Sequence, residues 1–544
     1  MLRMREMSVR LAVFLCILLG VTLSSNGCKQ GSTLINPDQE SFNSTDDIDG
    51  NILRNPQSWY SDFPVMDGEN AEKNVDITNV VYDTYHSDMG EIKKASVPDP
   101  YFYTVATWGS EDISGNKSVW FRVLYRSAEF SGLHQSTPIE VDPGPEQKAA
   151  PAITAYVHEC EGNIMQMYVS IIYQQRQDEF APWQIWHARY RQIVDPLNYN
   201  FDSFELLFAQ RVHYEIGINL KNPDIVFDAL PDFEWPIQMV HMVFEAEISD
   251  TQKDIIYVSA IDELDEYMDC TRKHHIISPG LNCMPRIDVG YDDSGFTYDI
   301  LGLDTSYYVG IVWHQTGMIS RDWVFSNILF TGFKPGGYPN GPILYLTHAD
   351  PILEYIYKLP DIDIEPIENM EYHHPCTTVI VWMLEDRNDG DLVRMRLYYT
   401  HSIRMMQYSP EEWAFQTNPG LPSWEFWGFP KIATKGYNFV GFHGSANITF
   451  LRMLKVDYPP EMTDVEVHAC RGNWDVTNGL TQWYDSTEIS DTDAALSIHD
   501  EGSLGTEIAI LDSPSGSTTL VHCIWTDFRE SANSAPSIYG SRGG

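Results

Sequence analysis

Short runs rich in Val, Ile, Thr and aromatic residues recur along most of the chain, and Asp, Gly, Pro or Asn residues bound them. Runs of this kind are typical of β-strands. No long stretch keeps apolar residues at the i, i+3, i+4 and i+7 spacing of an amphipathic helix. The pattern therefore predicts an all-β protein.

One run recurs seven times and ends each time on a large aromatic residue, which a polar turn and a second β-type run then follow. The seven aromatic residues are Trp108, Tyr173, Phe244, Trp313, Trp382, Phe442 and Trp525. They recur about every 70 residues, and a near-constant period of that kind indicates a repeat architecture. The sixth repeat, which ends on Phe442, is the least regular.

Several repeats also open alike, with a proline shortly before an isoleucine. These openings are Pro151-Ala152-Ile153, Pro223-Asp224-Ile225, Pro285-Arg286-Ile287, Pro342-Ile343 and Pro430-Lys431-Ile432, with Val75-Asp76-Ile77 in the first repeat. Each repeat then has three recognisable strands and room for a fourth. Four antiparallel strands repeated about seven times predict a β-propeller, because a ring of sheets buries the sheet faces against one another.

We therefore predict a single seven-bladed β-propeller over residues 51–544, with six or eight blades as alternatives. The last repeat ends almost on its third strand, with Arg542-Gly543-Gly544 after it. Its outer strand is expected from the N-terminal segment 50–73, around Trp59. That strand would close the propeller.

The last repeat carries a family resemblance. Trp525-Thr526-Asp527-Phe528-Arg529, followed by Ile538-Tyr539-Gly540-Ser541-Arg542, resembles the repeats of sialidase-like propellers, including BNR-repeat lipoproteins. The resemblance covers the chain from about residue 50 to the end. For an enzyme of that family it implies an arginine cluster for a substrate carboxylate and a tyrosine nucleophile activated by glutamate. The strand arginines available for such a cluster are Arg122, Arg286 and Arg394.

Residues 1–27 have the pattern of a signal peptide. Basic residues precede an unbroken apolar run from Leu11 to Val21, which is shorter than the roughly 20 residues that span a bilayer. Gly27-Cys28 resembles the cleavage box of bacterial lipoproteins, which implies that Cys28 carries a lipid. We expect export to the bacterial cell envelope with a lipid anchor, and a soluble secreted protein is the alternative.

Residues 28–50 are polar and rich in Ser, Asn, Asp and Gly. Such a segment buries too little apolar surface to offset its ordering entropy, so we expect a flexible tether between lipid and propeller. The predicted division of the chain is therefore a signal peptide at 1–27, a lipidated cysteine and tether at 28–50, and the propeller at 51–544.

The chain is strongly acidic, with 77 Asp and Glu against 35 Lys and Arg and a formal net charge of −42. A field of this sign repels phosphate backbones, which argues against nucleic acid as a partner. Two acidic segments, 361–365 and 386–391, offer oxygen ligands for Ca²⁺, but neither matches a full calcium loop. No cofactor is predicted, and calcium is the alternative.

Six cysteines follow the signal and lipidation positions, and disulfides are the usual state of cysteines in an exported protein. Cys270 and Cys283 flank an insertion between the third and fourth repeats, so we predict a disulfide between them. Three other cysteines stand beside histidines, in the pairs His158/Cys160, His468/Cys470 and His522/Cys523. No spacing motif joins these pairs, so buried or bridged thiols are predicted and no metal site is.

Two groups of residues are candidates for binding. Carboxylates that follow the repeated aromatic residues are predicted to lie near one rim of the channel, where they would bind a cation or a polyol or be solvated turn residues. These acids are Glu111, Glu245, Glu247, Glu385, Asp386 and Asp527. Trp424, Phe426 and Trp427 cluster in an apparent loop, where aromatic side chains stack on sugars, anchor protein interfaces or wedge between blades.

No Gly-rich phosphate loop, nucleophile elbow or HExxH motif is present in the sequence. No catalytic residue is therefore assigned. We predict a monomeric, envelope-anchored and non-catalytic propeller that binds a protein or glycan partner and meets the membrane only through its lipid. The alternative is a sialidase-like exo-glycosidase acting on extracellular glycans.

Overall fold

The computed structural model describes only part of the chain. The described residues are 63–66, 70–81, 102–126, 133–160, 164–193, 203–213, 215–228, 239–261, 272–276, 278, 280–291, 307–320, 323–334, 338–339, 343–347, 355–366, 376–389, 392–403, 412–413, 425–437, 443–456, 461–475, 479–483, 487–490, 506–512, 519–527 and 537–543. Every regular element in these ranges is a β-strand, which confirms the all-β prediction. None of these ranges contains a helix long and apolar enough to cross a membrane.

The strands from the start of the chain are β1 (Phe63–Met66), β2 (Ala71–Val81), β3 (Phe102–Glu111), β4 (Lys117–Arg126), β5 (Leu133–Gln135), β6 (Ile139–Glu140), β7 (Gln147–Cys160), β8 (Ile164–Arg176), β9 (Gln184–Gln192), β10 (Phe204–His213), β11 (Asn219–Asp228), β12 (Met239–Ser249), β13 (Gln252–Ile261), β14 (Arg272–Ile276) and β15 (Leu281–Tyr291). The remaining strands are β16 (Tyr307–Ser320), β17 (Trp323–Lys334), β18 (Tyr338–Pro339), β19 (Leu344–Tyr345), β20 (Tyr355–Pro366), β21 (Cys376–Asp389), β22 (Leu392–Ile403), β23 (Glu412–Trp413), β24 (Glu425–Tyr437), β25 (His443–Val456), β26 (Glu461–Asp475), β27 (Gly479–Trp483), β28 (Thr487–Glu488), β29 (Thr506–Asp512), β30 (Thr519–Asp527) and β31 (Ser537–Gly543).

Consecutive strands pair antiparallel in units of four. The units are β2 to β5, β7 to β10, β11 to β14, β15 to β18, β20 to β23, β24 to β27, and β29 to β31 with β1. The third and fourth units share one sheet through a single parallel pairing, Lys253 with Leu281. Short additional strands pair the third strand of their unit: β6, β19 and β28.

Strand β1 takes the outer position of the last unit. It runs antiparallel to β31, and Phe63 lies opposite Gly540. The strand falls within the segment 50–73, whereas Trp59 lies outside the described residues. A strand from the N-terminal side of the chain therefore extends the unit formed by its last strands.

The first strands of neighbouring units lie beside one another. Strand β2 contacts β7, and the series continues through β11, β15, β20 and β24 to β29. Strand β29 in turn contacts β2. The series therefore returns to the strand from which it started.

Six of the first strands share a β-bulge, and the shared bulge explains the repeated openings. The bulge residue has a positive φ, between 45° and 57°, in every case: Asn74, Ala150, Asn222, Met284, Leu359 and Phe429. Proline follows it in five strands and Val75 in the first. A bulge leaves its extra residue out of the ladder, so a proline without an N–H fits there. In the fifth unit the opening is Pro360-Asp361-Ile362, and the predicted Pro342-Ile343 lies before β20 instead.

The repeated aromatic residue stands on the second strand, directly opposite this bulge. In the fourth unit, Cys283 and Arg286 pair with His314 and Val312, so Trp313 faces the two bulge residues. The same register holds in the sixth unit for Phe450, which is fully buried. The predicted anchor of that repeat, Phe442, was therefore the wrong residue, and it lies outside the described residues.

The hydrophobic core lies between units rather than within one. Phe244 of the third unit, for example, packs with Ile172 and Phe208 of the second. Val65 of β1 packs with Trp108 of the first unit and Ile524 of the last. Fully burying one such side chain contributes about 1.5–3 kcal/mol, so the contacts between units contribute substantially to stability.

The predicted disulfide is absent, because Cys283 is a free thiol. Cys283 lies on β15, which begins beside Lys253 at the start of β13. Strand β14 begins with Arg272, which pairs with Ser259 near the end of β13. Six residues of strand separate those positions by roughly 20 Å, and a disulfide requires Cα atoms within about 7 Å. Cys270 itself lies outside the described residues. Cys470 and Cys523 are buried free thiols.

Candidate functional site

Aspartates on the first strands bind the main chain of the next unit. Asp224 on β11 follows a bulge, and its Oδ2 accepts a hydrogen bond from the backbone N–H of Ile287 on β15, at 2.9 Å. The equivalent bonds join Asp76 to Ile153 at 2.6 Å and Asp361 to Ile432 at 2.9 Å. The opening motif thus places a carboxylate where the neighbouring unit presents a free N–H.

A second pair of aspartates repeats this arrangement two residues further along. Asp288 accepts a hydrogen bond from the N–H of Ile364 at 2.5 Å. Asp363 accepts from the N–H of Thr434 and, at 2.6 Å, from its hydroxyl. The negative charge of Asp363 also acts on Asp288, so the two carboxyl groups influence each other.

Basic residues take the position of these aspartates on the intervening first strands. Arg286 Nε lies 3.8 Å from Asp361 Oδ1, and Lys431 Nζ lies 3.6 Å from the same atom. Acid and base therefore alternate over four consecutive first strands, from Asp224 through Arg286 and Asp361 to Lys431. We call these four residues, with Asp288 and Asp363, the inner charged cluster.

Burial raises the pKa of three acids of the cluster, Asp224, Asp288 and Asp363. It raises the pKa of Asp224, against the opposing charge of Arg286. It raises the pKa of Asp288 well above the usual range, and the negative charge of Asp363 adds to this effect. The cluster is enclosed by first strands, yet Asp224, Asp288 and Asp363 keep some contact with solvent.

The described carboxylates of the first predicted calcium segment have protein partners. The oxygens of Asp361 and Asp363 accept main-chain donors, and two cations lie beside Asp361. The side chain of Glu365 and those of 386–391 lie outside the described residues. In the described part of the chain, the one group of three metal-ligating side chains within reach of a common ion lies elsewhere: His213, Glu215 and His275.

Three of the predicted rim acids are bound to lysines at or near the ends of second strands. Glu245 is fully buried, pairs with Lys253 at 3.1 Å and accepts the N–H of Met284 at 2.6 Å. Glu247 contacts Lys221 at 3.0 Å, and Glu111 contacts Lys117 at 3.5 Å. Glu385, Asp386 and Asp527 lie on second strands, but their side chains lie outside the described residues. Neighbouring lysines therefore neutralise the three described acids.

The apparent aromatic loop is largely a strand. Phe426 and Trp427 belong to β24 and lie opposite Met453 and Arg452. Their side chains, and Trp424 as a whole, lie outside the described residues. The pattern was mistaken for a loop because Gly428 and Pro430, which flank the bulge residue Phe429 of β24, look like a turn in the sequence.

Large apolar side chains stand exposed at one end of the first three units, where none was predicted. Ile113 (98% exposed) lies in the β3–β4 turn, and Phe180 (88%) lies in the β8–β9 turn. Ile216 (84%) lies in the connection from β10 to β11. In antiparallel units of four, the second-to-third turn and the fourth-to-first connection fall at the same end. We call Ile113, Phe180 and Ile216 the end patch.

No protein-family model matches the chain, and no curated protein does. Similar solved structures include a Penicillium chrysogenum α-L-arabinanase complexed with arabinobiose, at 11% identity over 72% of this chain and 92% of that one, with a TM-score of 0.37. A Trypanosoma rangeli sialidase mutant displaying trans-sialidase activity is 8% identical over 81% of this chain and 52% of its own, with a TM-score of 0.33. The polysaccharide lyase Uly1 is 7% identical over 81% and 87%, with a TM-score of 0.36. Similarities this weak carry no weight for fold or function.

The three strand arginines do not assemble into one site. Arg122 on β4 donates to the carbonyl of Ser136, at 3.0 Å from Nε, and to the carbonyl of Val65 on β1. Arg394 lies on β22, also a third strand, opposite Asp386. Arg286 alone of the three lies on a first strand. The arginine cluster implied by the sialidase resemblance is therefore not formed by these residues.

Proposed function

We propose that this chain is an exported, lipid-anchored β-propeller that binds a protein partner through the end patch. The observation that carries the proposal is the near-complete exposure of Ile113, Phe180 and Ile216 at one end of three adjacent units. Large exposed apolar surfaces mark interaction sites in soluble domains. Each such side chain contributes about 1.5–3 kcal/mol when a partner covers it, so three of them on one face can anchor an interface.

The propeller part of the proposal treats the seven units as blades. The cycle of contacts between first strands supports it, because β29 lies against β2. The hydrogen bond from Ile153 to Asp76 and the pairing of β1 with β31 support it further. In a propeller, the end patch and the first-strand bulges lie toward the same face, so the patch would rim the mouth of the channel that holds the inner charged cluster.

A protein partner fits the patch better than a glycan. Sugars stack on flat aromatic faces, which Ile113 and Ile216 do not offer, whereas aliphatic side chains fill pockets in proteins. The formal charge of −42 favours a partner whose own surface is basic around an apolar centre. The lipid at Cys28 and the tether at 28–50 would hold a monomeric domain at the membrane while leaving this face free.

The exo-glycosidase alternative gains no support from the described residues. The sialidase resemblance implies a substrate-binding arginine cluster, but Arg122 and Arg394 lie on third strands and Arg286 lies on a first strand. Asp288 and Asp363 accept main-chain N–H groups of neighbouring first strands. These two carboxylates therefore tie first strands together.

Binding to separated envelope fractions tests the proposal. The triple variant Ile113→Ser, Phe180→Ser, Ile216→Ser removes the end patch. The matched control Ile193→Ser, Ile261→Ser removes two half-exposed isoleucines from the ends of third strands, at the opposite end of the units. Wild type and control should bind the protein fraction alike, and the triple variant should lose at least about 10-fold in affinity. Equal binding by all three proteins, or binding to a protein-free glycan fraction instead, contradicts the proposal.

A further inference from the structure

Two histidines and a glutamate meet at the outer strands of the second and third units. His213 is the last residue of β10, and Glu215 follows it in the connection to β11. His275 lies on β14, the outer strand of the third unit. One ligand atom from each residue lies within 4.8 Å of the other two. The chain thus brings together residues 60 positions apart that sequence spacing does not connect.

The separations between these atoms are close to those of a tetrahedral metal site. Glu215 Oε1 lies 2.9 Å from His213 Nε2 and 3.9 Å from His275 Nε2. Zinc bonds of about 2.0–2.1 Å set tetrahedral ligand atoms roughly 3.3 Å apart. These two distances lie on either side of that value, and the two histidine nitrogens lie within 4.8 Å of each other. Side-chain rotation that brings the three ligand atoms together would close the site around an ion.

The surroundings suit a partly enclosed ion. His213 is 9% exposed and packs against Phe244 at 5.8 Å between ring centroids, which fixes its ring. Its Nε2 faces Glu215, so this nitrogen is the one available to the ion. The side chains of Glu215 and His275 are 23% and 41% exposed, which leaves an entry path and room for a water ligand.

The ligand types select the metal. Imidazole nitrogens favour borderline divalent ions such as Zn²⁺, whereas Ca²⁺ and Mg²⁺ prefer all-oxygen sites. Three protein ligands leave one tetrahedral position for water.

Lys273 lies on β14 two residues before His275, on the same face of the strand, and its positive charge acts on His213. The positive charge of Lys273 repels a cation at this site and therefore weakens its binding.

We propose that His213, Glu215 and His275 bind one Zn²⁺ ion, which fastens the outer strand β14 to the connection between the second and third units. Strand β14 has five residues and pairs with β13 on one side. The ladder with β13 covers only these five residues, so few main-chain hydrogen bonds hold β14. The ion links β14 directly to the end of β10, across the boundary between two units.

Cobalt(II) titration of the metal-free protein, followed by zinc displacement, tests the proposal. Wild type should bind one equivalent of cobalt with the intense visible bands of a tetrahedral site, and zinc should abolish these bands. Zinc should also raise the melting temperature in a concentration-dependent manner. Absence of the tetrahedral bands in wild type overturns the proposal.

Single variants test whether these three residues, rather than other histidines, bind the metal. His275→Ala and Glu215→Gln should each weaken cobalt binding by more than roughly 100-fold. His274→Ala, on the opposite face of β14, should bind as wild type does, and Lys273→Met should bind more tightly. Metal-free melting temperatures within a few degrees of wild type show that each variant is folded. Unchanged cobalt affinity in folded His275→Ala overturns the assignment.

Discussion

The carboxylate of Asp224 on β11 accepts the backbone N–H of Ile287 on β15 at 2.9 Å, so that a side chain of one unit satisfies the main chain of the next. The bulge before Asp224 makes this contact, because it turns the residue toward the neighbouring first strand. Buried N–H groups need acceptors, and a first strand has no ladder partner on that side. The aspartate supplies the missing acceptor.

Asp224→Ala should lower the free energy of unfolding by about 1–3 kcal/mol, because it leaves the N–H of Ile287 unsatisfied. Asp224→Asn, which keeps an acceptor oxygen, should lose less. Urea denaturation measures both. The control Asp250→Ala changes an exposed turn residue and should stay within about 0.5 kcal/mol of wild type. Equal effects at positions 224 and 250 would show that the hydrogen bond contributes nothing.

Phe450→Ala should destabilise the protein by about 3–5 kcal/mol, because Phe450 fills the fully buried position opposite the bulge of the sixth unit. Phe180→Ala removes the same side chain from an exposed turn and should leave the free energy of unfolding unchanged. Both values come from one denaturant series. A loss below about 1 kcal/mol for Phe450→Ala would contradict its place as the anchor of that repeat.

Much of the fold could be predicted because one large aromatic residue marks the same buried position in most of the repeats. Trp108, Trp313, Trp382 and Trp525 are fully buried on second strands, as their position at the end of apolar runs indicated. Phe450 was missed because Phe442 also ends an apolar run, and only the register with β24 distinguishes them. The motif before each isoleucine was visible, but its bulge depends on backbone φ values that propensity does not encode.

The candidate sites could be predicted less well, because they depend on which strands lie side by side. The sequence pattern of Asp361 and Asp363 indicates calcium ligands, and it does not show that β24 supplies N–H donors to both. The patch residue Ile113 stands between Asp112 and Ser114, and an apolar residue inside a polar turn was the signal that could have revealed it. Apolar residues are usually buried, so the exposure of Ile113 was not expected from its residue type.

Stability should fall as pH rises from about 4.5 to about 7, because of Glu72. Burial raises the pKa of Glu72 to about 7, and the hydrogen bond from Ser110 only partly offsets this effect. Over that range the unfolded chain releases the proton while the folded protein keeps it, so the folded state loses relative stability. Glu72→Gln should remove this dependence and stabilise the protein at pH 8 by up to roughly 3 kcal/mol.

Denaturation of wild type and Glu72→Gln at pH 4 and pH 8 measures the difference. The two proteins should agree closely at pH 4, where both carry a neutral side chain at position 72. A gain of equal size at both pH values would instead mean that the substitution acts through packing.

Photo-crosslinking on intact envelopes tests the central claim most directly. A photoreactive phenylalanine analogue replaces Phe180 in the end patch, and the same analogue replaces Ile261 at the opposite end of the third unit as the control. The account predicts a protease-sensitive adduct of defined mass from position 180 and none from position 261. No adduct from position 180, or the same adduct from both positions, would contradict the claim that this face binds a protein partner.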